Sequence, residues 1–489
     1  MGLAGKGLLA GVAVLAIGAG VVAWRTYSFA GGLPPATTRV TVAAATPFDA
    51  AAAAARLGAA IRFRTVSNQD PAANDWTQWD GFHAWLKASY PRFHAAAKLE
   101  MVGQTLVYRW EGSDPAAKPI ILMAHQDVVP ITPGTERDWK KDPFSGDLAD
   151  GAVWGRGAID DKGNLIALFE AMEALAARGF KPKRTVYLVS GHDEEVGGNG
   201  ARAAAQMLEK RGVRALFTLD EGSIIVKGPP LIGKPTILIG VAEKGYATIK
   251  VTAKGAGGHS SMPPNDIATV NLARALAAID DRQFPYEFRG PGADMVESLG
   301  AEAGGAARVA LANRWLLGGK IIQQVAATPS GAAMLHTTIA PTMLSGSPKE
   351  NVLPQEATAL INYRIAPWQT SKDVMAWTKG AVGTLPVTLS WEGTPREPTR
   401  VSSTSSEGWA LLSATARAEA PGAPIAPFLV IAGTDSRSFT GISDDVYRFA
   451  PIRLATSETA MIHGTNEHIS TQDFAAMIRF FTRLIATAA

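Results

Sequence analysis

The sequence contains no cysteine among its 489 residues. Disulfide bonds and thiolate ligands are therefore excluded, and a transition metal would have to bind histidine, aspartate or glutamate side chains. An excess of one charge is also lacking, because 47 basic residues face 44 acidic residues. No basic stripe is interleaved with aromatic residues, so we expect no nucleic-acid partner.

A long apolar run is present only near the amino terminus. Between Lys6 and Arg25, the segment from Gly7 to Trp24 has 18 uncharged, mostly apolar residues. A membrane-spanning helix needs about 20 residues and a secretory apolar region about 7 to 15, so a retained signal anchor is favoured over a cleaved signal peptide. Residues 30–47, rich in glycine, proline, alanine and threonine, are interpreted as a spacer. Either outcome exports the rest of the chain, as an anchored or a secreted protein.

Short apolar, β-branched runs alternate with helical stretches in the first half of the chain. Strands are expected at 120–124, 185–190 and 215–219, and helices at 165–178 and 201–211. This alternation predicts an α/β fold. In open α/β sheets functional residues gather beyond the carboxyl ends of the strands.

The pattern changes near Gly245, where residues 247–253 alternate as a half-exposed strand. Later segments complete a β-α-β-β-α-β order, and the six segments are 247–253, 267–279, 335–340, 357–365, 371–382 and 387–391. We expect a small α+β unit inserted into the first domain, with hinges near Gly245 and Gly393. The first domain then resumes with a helix at 407–418 and a strand at 427–432.

Acidic and histidine side chains follow the first predicted strand and precede the next helix. Asp127 stands two residues after His125, where it could fix the tautomer of a metal-binding imidazole; a loop histidine with a solvated neighbour is the alternative. Asp160 and Asp161 lie in the glycine-punctuated loop 155–163. A helix N-cap would explain one of these two acids, but not both.

Further candidate ligands follow the other two strands. Glu194 and Glu195 come after strand 185–190, where one glutamate could bind a metal while its neighbour moves a proton. A solvated acidic loop is the alternative. Asp220 ends the third strand and His463 lies in a turn before the last helix. Each is ordinary alone, whereas their combination indicates a metal site.

Six motifs, in order, resemble the dizinc carboxypeptidase S and aminoacylase I family of metallopeptidases. They are His125-Gln126-Asp127, Gly157-Ala158-Ile159-Asp160-Asp161-Lys162-Gly163, Glu194-Glu195, Asp220, Gly257-Gly258-His259-Ser260 and His463-Gly464-Thr465-Asn466-Glu467. The resemblance covers residues 50–489. It is strongest to the branch of carboxypeptidase S and N-fatty-acyl-amino-acid hydrolase, which also begins with a hydrophobic segment.

The resemblance implies two Zn²⁺ ions per subunit, for which Co²⁺ or Mn²⁺ could substitute. Asp160 would bridge the ions. His125 and Asp220 would complete one site, and Glu195 and His463 the other.

The same resemblance implies roles for residues outside the ligand set. Glu194 would be the general acid/base, and Asp127 would orient the metal-binding histidine. His259 would stabilise the oxyanion, often from the partner subunit in family dimers. The free carboxylate of the substrate would be held by Asn351 and Arg437, with Arg364 as a weaker candidate.

The implied fold is a zinc-peptidase-like α/β catalytic domain with a mixed central sheet flanked by helices, interrupted by an α+β ferredoxin-like lid or dimerisation domain. The signal anchor or signal peptide is expected at 1–29 and the spacer at 30–47. The catalytic domain would comprise two stretches of chain, 48–245 and 395–489, with the lid inserted between them at 246–394.

We therefore expect a zinc-dependent exopeptidase or amidohydrolase. Its substrate would be a short peptide, cleaved at the C-terminal bond, or an N-acyl amino acid. The lid would make a homodimer possible, and the N-terminal segment would bind the membrane. An aminopeptidase or dipeptidase is the alternative within this chemistry. A non-catalytic scaffold is disfavoured because Glu194 and all five expected ligands are intact.

Overall fold

The computed structural model describes residues 3–29, 38–228, 232–300 and 302–489, with side chains from residue 11 onward. Residues 30–37 of the predicted spacer lie outside the described residues. The α-helices are α1 Leu3–Ser28, α2 Ala50–Ile61, α3 Trp76–Ser89, α4 Pro91–Ala96, α5 Lys162–Ala177, α6 Asn199–Lys210, α7 Ala268–Asp281, α8 Gly290–Gly300, α9 Gly305–Ala312, α10 Arg314–Val325, α11 Pro329–Leu335, α12 Ser371–Val382, α13 Glu407–Glu419 and α14 Thr471–Ala488.

The strands of the described residues form two large and two small sheets. They are β1 Lys98–Val102, β2 Thr105–Trp110, β3 Ile120–Met123, β4 Leu148–Ala149, β5 Ala152–Trp154, β6 Val186–Ser190, β7 Ala215–Asp220, β8 Ile225–Val226, β9 Thr236–Glu243, β10 Gly245–Lys254, β11 Gly258–His259, β12 Thr338–Ser345, β13 Val352–Leu353, β14 Glu356–Ile365, β15 Val387–Trp391, β16 Ile425–Val430, β17 Ser443–Arg448, β18 Arg453–Leu454 and β19 His468–Ser470.

The central sheet has ten strands in the order β1-β2-β6-β3-β7-β17-β9-β8-β18, with β16 paired to β9. Strand β3 runs parallel to both β6 and β7. Its side chains are almost entirely buried because helices cover both faces, which explains why these strands read as continuous apolar runs. The predicted α/β class with a mixed, helix-flanked central sheet is confirmed.

Helices α2, α5 and α14 pack on one face of this sheet, and α6 packs on the other. The small side chains of Ala201, Ala204 and Ala205 let α6 approach Ile121 and Val189 closely. Strand β17, in the centre of the sheet between β7 and β9, was not predicted from the sequence. The site loops after β3, β6 and β7 therefore start from a rigid, buried layer.

The second large sheet is antiparallel and has the order β12-β14-β10-β15, with α7 and α12 packed against it. Its elements follow the expected β-α-β-β-α-β order. The chain enters and leaves this unit side by side, because Tyr246 and Arg396 exchange two backbone hydrogen bonds of 2.8 Å. A side chain on Gly245 would come within 2.7 Å of the Arg396 carbonyl oxygen, so glycine permits the close crossing. The domain boundaries and hinges stay predictions.

Between the α7 helix and strand β12, a region that gave few sequence signals contains helices α8, α9, α10 and α11. Val296, Leu311 and Ile321 form a small core of their own there. Helix α1 contacts α9. Among the described residues, α1 is the one helix long and apolar enough to cross a membrane, over Gly11–Ser28.

Candidate metal centre

Two groups of ligand-type side chains meet at Asp160. One group consists of His125, Asp160 and Glu221, and the other of Asp160, Glu195 and His463; within each, the ligand atoms lie within 4.8 Å of one another. His125 Nε2 is 2.9 Å from Asp160 Oδ1, and His463 Nε2 is 3.0 Å from Asp160 Oδ2. Each oxygen of one carboxylate therefore faces a different group, which is the geometry of a bridged two-metal site.

Asp220, expected among the ligands, is in neither group, whereas the adjacent Glu221 is in the first. The Asp220 carboxylate accepts backbone hydrogen bonds at both oxygens, from Glu221 N at 3.0 Å and from Ser436 N at 2.9 Å. It thus fastens the loop after β7 to the 434–437 loop. Successive side chains at a strand end point to opposite sides. Sequence spacing alone cannot choose between the two adjacent acids.

Asp127 connects His125 to the paired glutamates Glu194 and Glu195. Its carboxylate is fully buried, and Oδ1 lies 3.4 Å from His125 Nδ1. The same carboxylate accepts hydrogen bonds of 3.1 Å from the backbone of Glu194 and of Glu195, and one of 2.6 Å from the Ser67 hydroxyl. Burial alone would raise the pKa of Asp127, but the hydrogen bonds, led by that of His125, hold it below its usual value. One acid therefore orients both sides of the site.

The loop of His463 is held by residues that the sequence reasoning gave no role. His463 has a left-handed backbone, with φ of 60°, and its carbonyl accepts a hydrogen bond from Arg156 Nη2 at 3.2 Å. Arg156 also pairs with Glu467 at 2.7 Å, both side chains being buried. Glu467 Oε1 in turn accepts the backbone N–H groups of Ile159 and Asp160. These bonds fix His463 relative to the shared aspartate.

The donor set fits divalent cations. Oε1 of Glu195 is buried and has no hydrogen-bond partner among the described residues. A buried polar atom of this kind is expected where a carboxylate can bind a metal ion. Burial, reinforced by neighbouring carboxylates, raises the pKa of Asp161 and Glu221 well above the ordinary value. Hydrogen bonds to Asp160 and Glu195 raise the pKa of His463 to about 10. The crowded carboxylates thus attract positive charge, and nitrogen and oxygen ligands suit Zn²⁺, Co²⁺ or Mn²⁺.

A pocket of about 970 Å³ opens over these groups. Its lining residues include Glu194 and His463. They also include three arginines, Arg364, Arg396 and Arg437. Burial is the main cause that lowers the pKa of Arg437, and the positive charges of neighbouring arginines lower it further, although nearby Glu243 raises it. The pocket therefore combines an acidic part beside the ligand groups with a cluster of three guanidinium groups, those of Arg364, Arg396 and Arg437.

Each arginine of this cluster is held by its surroundings. Arg364 lies over the ring of Tyr246, with 4.8 Å from Cζ to the ring centroid. Arg437 donates a 2.9 Å hydrogen bond to the Glu397 carbonyl. The backbone of Arg396 is held by its two hydrogen bonds with the backbone of Tyr246. Arg396 was not predicted from the sequence, because no motif marks it and only its pairing with Tyr246 brings it to the pocket.

His259 and Asn351 lie together and are not among the residues that line this pocket. The short strands β11 and β13 pair, and the Asn351 carbonyl accepts a 3.2 Å hydrogen bond from Ser260 N. His259 is exposed, and its Nδ1 lies 2.8 Å from the Ser261 hydroxyl. The structure thus brings these two expected residues to each other but not to the ligand groups.

Comparison with known proteins places this site in context. Residues 121–487 match the description "Peptidase family M20/M25/M40". The chain is 34% identical to "Probable carboxypeptidase S-like 2" of Dictyostelium discoideum, over 88% of this chain and 84% of that protein. It is equally identical, with the same coverage, to "N-fatty-acyl-amino acid synthase/hydrolase PM20D1" of Xenopus tropicalis.

Among solved structures, the fold is similar to that of the M20 family metallo-carboxypeptidase Sso-CP2 from Sulfolobus solfataricus. The TM-score is 0.64 at 17% identity, and the match covers 89% of this chain and 99% of that one. At this identity the likeness shows the fold alone.

Proposed function

The chain belongs to peptidase family M20/M25/M40 and is a metal-dependent hydrolase, and on that premise we propose that it is a dizinc enzyme acting on N-acyl amino acids or on the C-terminal bond of short peptides. One observation carries the proposal. The two ligand groups share Asp160, and the pocket above them is also lined by Glu194 and by the arginine cluster of Arg364, Arg396 and Arg437.

The proposed ligands are Asp160, shared by both ions, with His125 and Glu221 on one side and Glu195 and His463 on the other. In this proposal Glu221 would take the ligand position that the resemblance assigns to Asp220. When bound, two zinc ions would polarise the scissile carbonyl and lower the pKa of water.

Glu194 is proposed as the general acid/base. It belongs to neither ligand group but lines the pocket, and its backbone is fixed by Asp127. Burial raises the pKa of the Glu194 carboxyl well above the usual value, which suits a group that takes a proton near neutral pH. Its carboxylate would accept the proton of the attacking water and deliver it to the leaving nitrogen.

The arginine cluster is proposed to bind the free carboxylate of the substrate. Arg364, Arg396 and Arg437 line the same pocket as Glu194, and guanidinium groups bind carboxylates bidentately. The pocket would therefore select a substrate with a carboxylate beside the scissile bond. An aminopeptidase is not favoured, and a non-catalytic scaffold is not favoured either, because ligands and acid/base are intact.

His259 and Asn351 are proposed to reach the substrate when the lid moves or from the partner subunit of a homodimer. Their exposure and the hydrogen bond between their strands support a pair that is presented outward. His259 would then stabilise the oxyanion. We propose that the lid moves about the two chain segments that connect it to the catalytic domain, which are paired at Tyr246 and Arg396.

The apolar helix α1 is proposed to be a retained signal anchor that exports the catalytic domain. Its uncharged run of 18 residues between Lys6 and Arg25 exceeds the secretory range of about 7 to 15 and is close to the about 20 residues that span a bilayer. Secretion after cleavage is the alternative outcome.

A substrate panel tests the function. N-acyl amino acids, their carboxamides and unblocked dipeptides are assayed with zinc supplied. We expect hydrolysis of N-acyl amino acids and strong loss with the carboxamides, because the arginines would no longer meet a carboxylate. Cleavage of peptides only when their amino group is free would instead identify an aminopeptidase.

A further inference from the structure

The end of the apolar helix α1 is hydrogen-bonded to the junction of α9 and α10. Arg25 Nε donates to the carbonyl of Ala312, the last residue of α9, at 3.1 Å. Asn313, between the two helices, donates from Nδ2 to Thr26 Oγ1 at 3.1 Å. Polar contacts of this kind fix one helix end against another. The position of α9 and α10 relative to any bilayer is then set by α1.

Hydrophobic contacts reinforce the same junction. Phe29, directly after α1, packs against the small core of Val296, Leu311 and Ile321, and Arg308 Nη2 donates to the Phe29 carbonyl at 2.7 Å. An apolar groove of about 690 Å³ lies between α1 and α9. Helix α9 therefore packs directly against the end of α1.

The surface of α10 beside this junction has the composition of a membrane interface. Trp315 is 61% exposed and Leu316 is 59% exposed, and both lie in the first turn of α10. Tryptophan favours the headgroup level of a bilayer. Residues 305–325 contain three cations and no acidic residue. Arg308 donates to carbonyls at the end of α1 and Arg314 pairs with Glu297, whereas Lys320 is exposed on α10. A basic side chain at this position gains electrostatic energy near anionic lipid headgroups.

We propose that α9 and α10 form a platform that docks onto the anionic surface of the bilayer crossed by α1. The inference rests on the proposed anchoring by α1. If Gly7 to Trp24 lies in the hydrocarbon, Arg25 is at the membrane boundary, and Trp315 and Leu316 enter the interface next to it. The platform of α9 and α10 would thereby hold the catalytic domain against the membrane, so that the domain would not be connected to the membrane by the spacer alone.

Because the chain lacks cysteine, single cysteines can carry a nitroxide for depth measurements in the full-length protein. The protein is reconstituted in vesicles of phosphatidylcholine with or without phosphatidylglycerol. Trp315→Cys reports the platform and Val14→Cys, 69% exposed on α1, reports the anchor. Met101→Cys is the matched control. Met101 is an exposed apolar residue (50%) on β1, which lies at the opposite edge of the central sheet from β8 and β18.

We expect the label at position 315 to become more accessible to oxygen and less accessible to a water-soluble nickel complex than the label at 101. The shift should be larger with phosphatidylglycerol and should decrease in Lys320→Gln. If positions 315 and 101 behave alike while position 14 is in lipid, docking is wrong and the anchor stands. If 14 and 315 are both in water, the anchoring proposal fails and docking fails with it. Spin–spin coupling between labels at 315 would show a second copy on this face, which also overturns the proposal.

Discussion

Glu467 and Arg156 form a buried ion pair of 2.7 Å that joins the two loops of the candidate metal centre. Glu467 accepts the backbone N–H of Asp160, while Arg156 donates to the carbonyls of His463 and Gly464. Neither side chain belongs to a ligand group. The pair therefore determines how far the shared aspartate lies from the late histidine.

Glu467→Ala should destabilise the protein strongly, because it leaves the Arg156 guanidinium buried without its partner. A loss of about 3 to 5 kcal/mol in the free energy of unfolding is expected for one half of a buried pair, measured by denaturant titration. Zinc affinity should fall as well. Glu100→Ala, which breaks an exposed pair with Arg211, is the control and should change neither quantity. An unchanged zinc affinity in folded Glu467→Ala would contradict the positioning role.

Glu194→Gln should lower kcat by about 10² to 10⁴-fold, the usual contribution of a general acid/base. Zinc content should stay at the wild-type level because Glu194 belongs to neither ligand group. Glu195→Gln is the matched comparison and should lose zinc. Elemental analysis of dialysed protein beside the hydrolysis assay measures both. Wild-type activity in zinc-loaded Glu194→Gln would remove this residue from the mechanism.

Glu221→Gln should bind about one zinc ion fewer than the wild type, since Glu221 stands beside His125 and Asp160. Asp220→Asn should retain both ions and instead lower thermal stability, because the Asp220 carboxylate holds backbone groups of Glu221 and Ser436. Zinc stoichiometry and melting temperature distinguish the two. The reverse pattern would restore Asp220 as the ligand.

Arg396→Gln and Arg437→Gln should raise KM for N-acyl amino acids about 10- to 100-fold, corresponding to the loss of a charged hydrogen bond of about 1.5 to 3 kcal/mol. The carboxamide analogue should be affected little. Arg202→Gln is the control, because Arg202 lines the same pocket but its side chain is exposed and donates to Gly197. Equal losses with acid and carboxamide would mean that the arginines only maintain the fold.

The buried amine of Lys244 should make stability depend on pH. Burial, followed by the charge of Arg364, lowers the pKa of Lys244 from 10.5 to about 7. Above pH 7 the folded protein releases this proton while the unfolded chain keeps it, so the unfolded state binds more protons and stability rises with pH.

The free energy of unfolding of the wild type should therefore increase, relative to that of Lys244→Met, between about pH 7 and 10. The lost hydrogen bonds of Lys244 to the carbonyls of Ala333 and His336 add a difference that does not depend on pH. Lys254→Met, at the exposed end of β10, controls for the loss of one charge. A constant difference across this range would contradict the expectation.

Several features follow from short stretches of sequence. Strands β3, β6 and β7 were predicted because a strand that is buried on both faces must be apolar throughout, and this pattern is local. The α/β class follows from their alternation with helices. The position of candidate ligands beyond these strand ends follows for the same reason.

Other features depend on what the folded chain brings alongside. Strand β17 carries the acids Asp444 and Asp445, so its sequence does not resemble a central strand, yet its neighbours β7 and β9 supply the pairing. Arg396 reaches the pocket only because the chain crosses beside Tyr246. Long-range pairing of this kind leaves no periodic signal in one segment.

The sequence by itself determined which residue types surround the candidate metal centre and in what order along the chain they come. The tertiary structure decided which of two adjacent acids, Asp220 or Glu221, turns toward His125. It also decided that Glu467 and Arg156 join the two ligand loops. The physical reason is that residue type is a local property, whereas the direction of a side chain depends on hydrogen bonds and packing from segments distant in sequence.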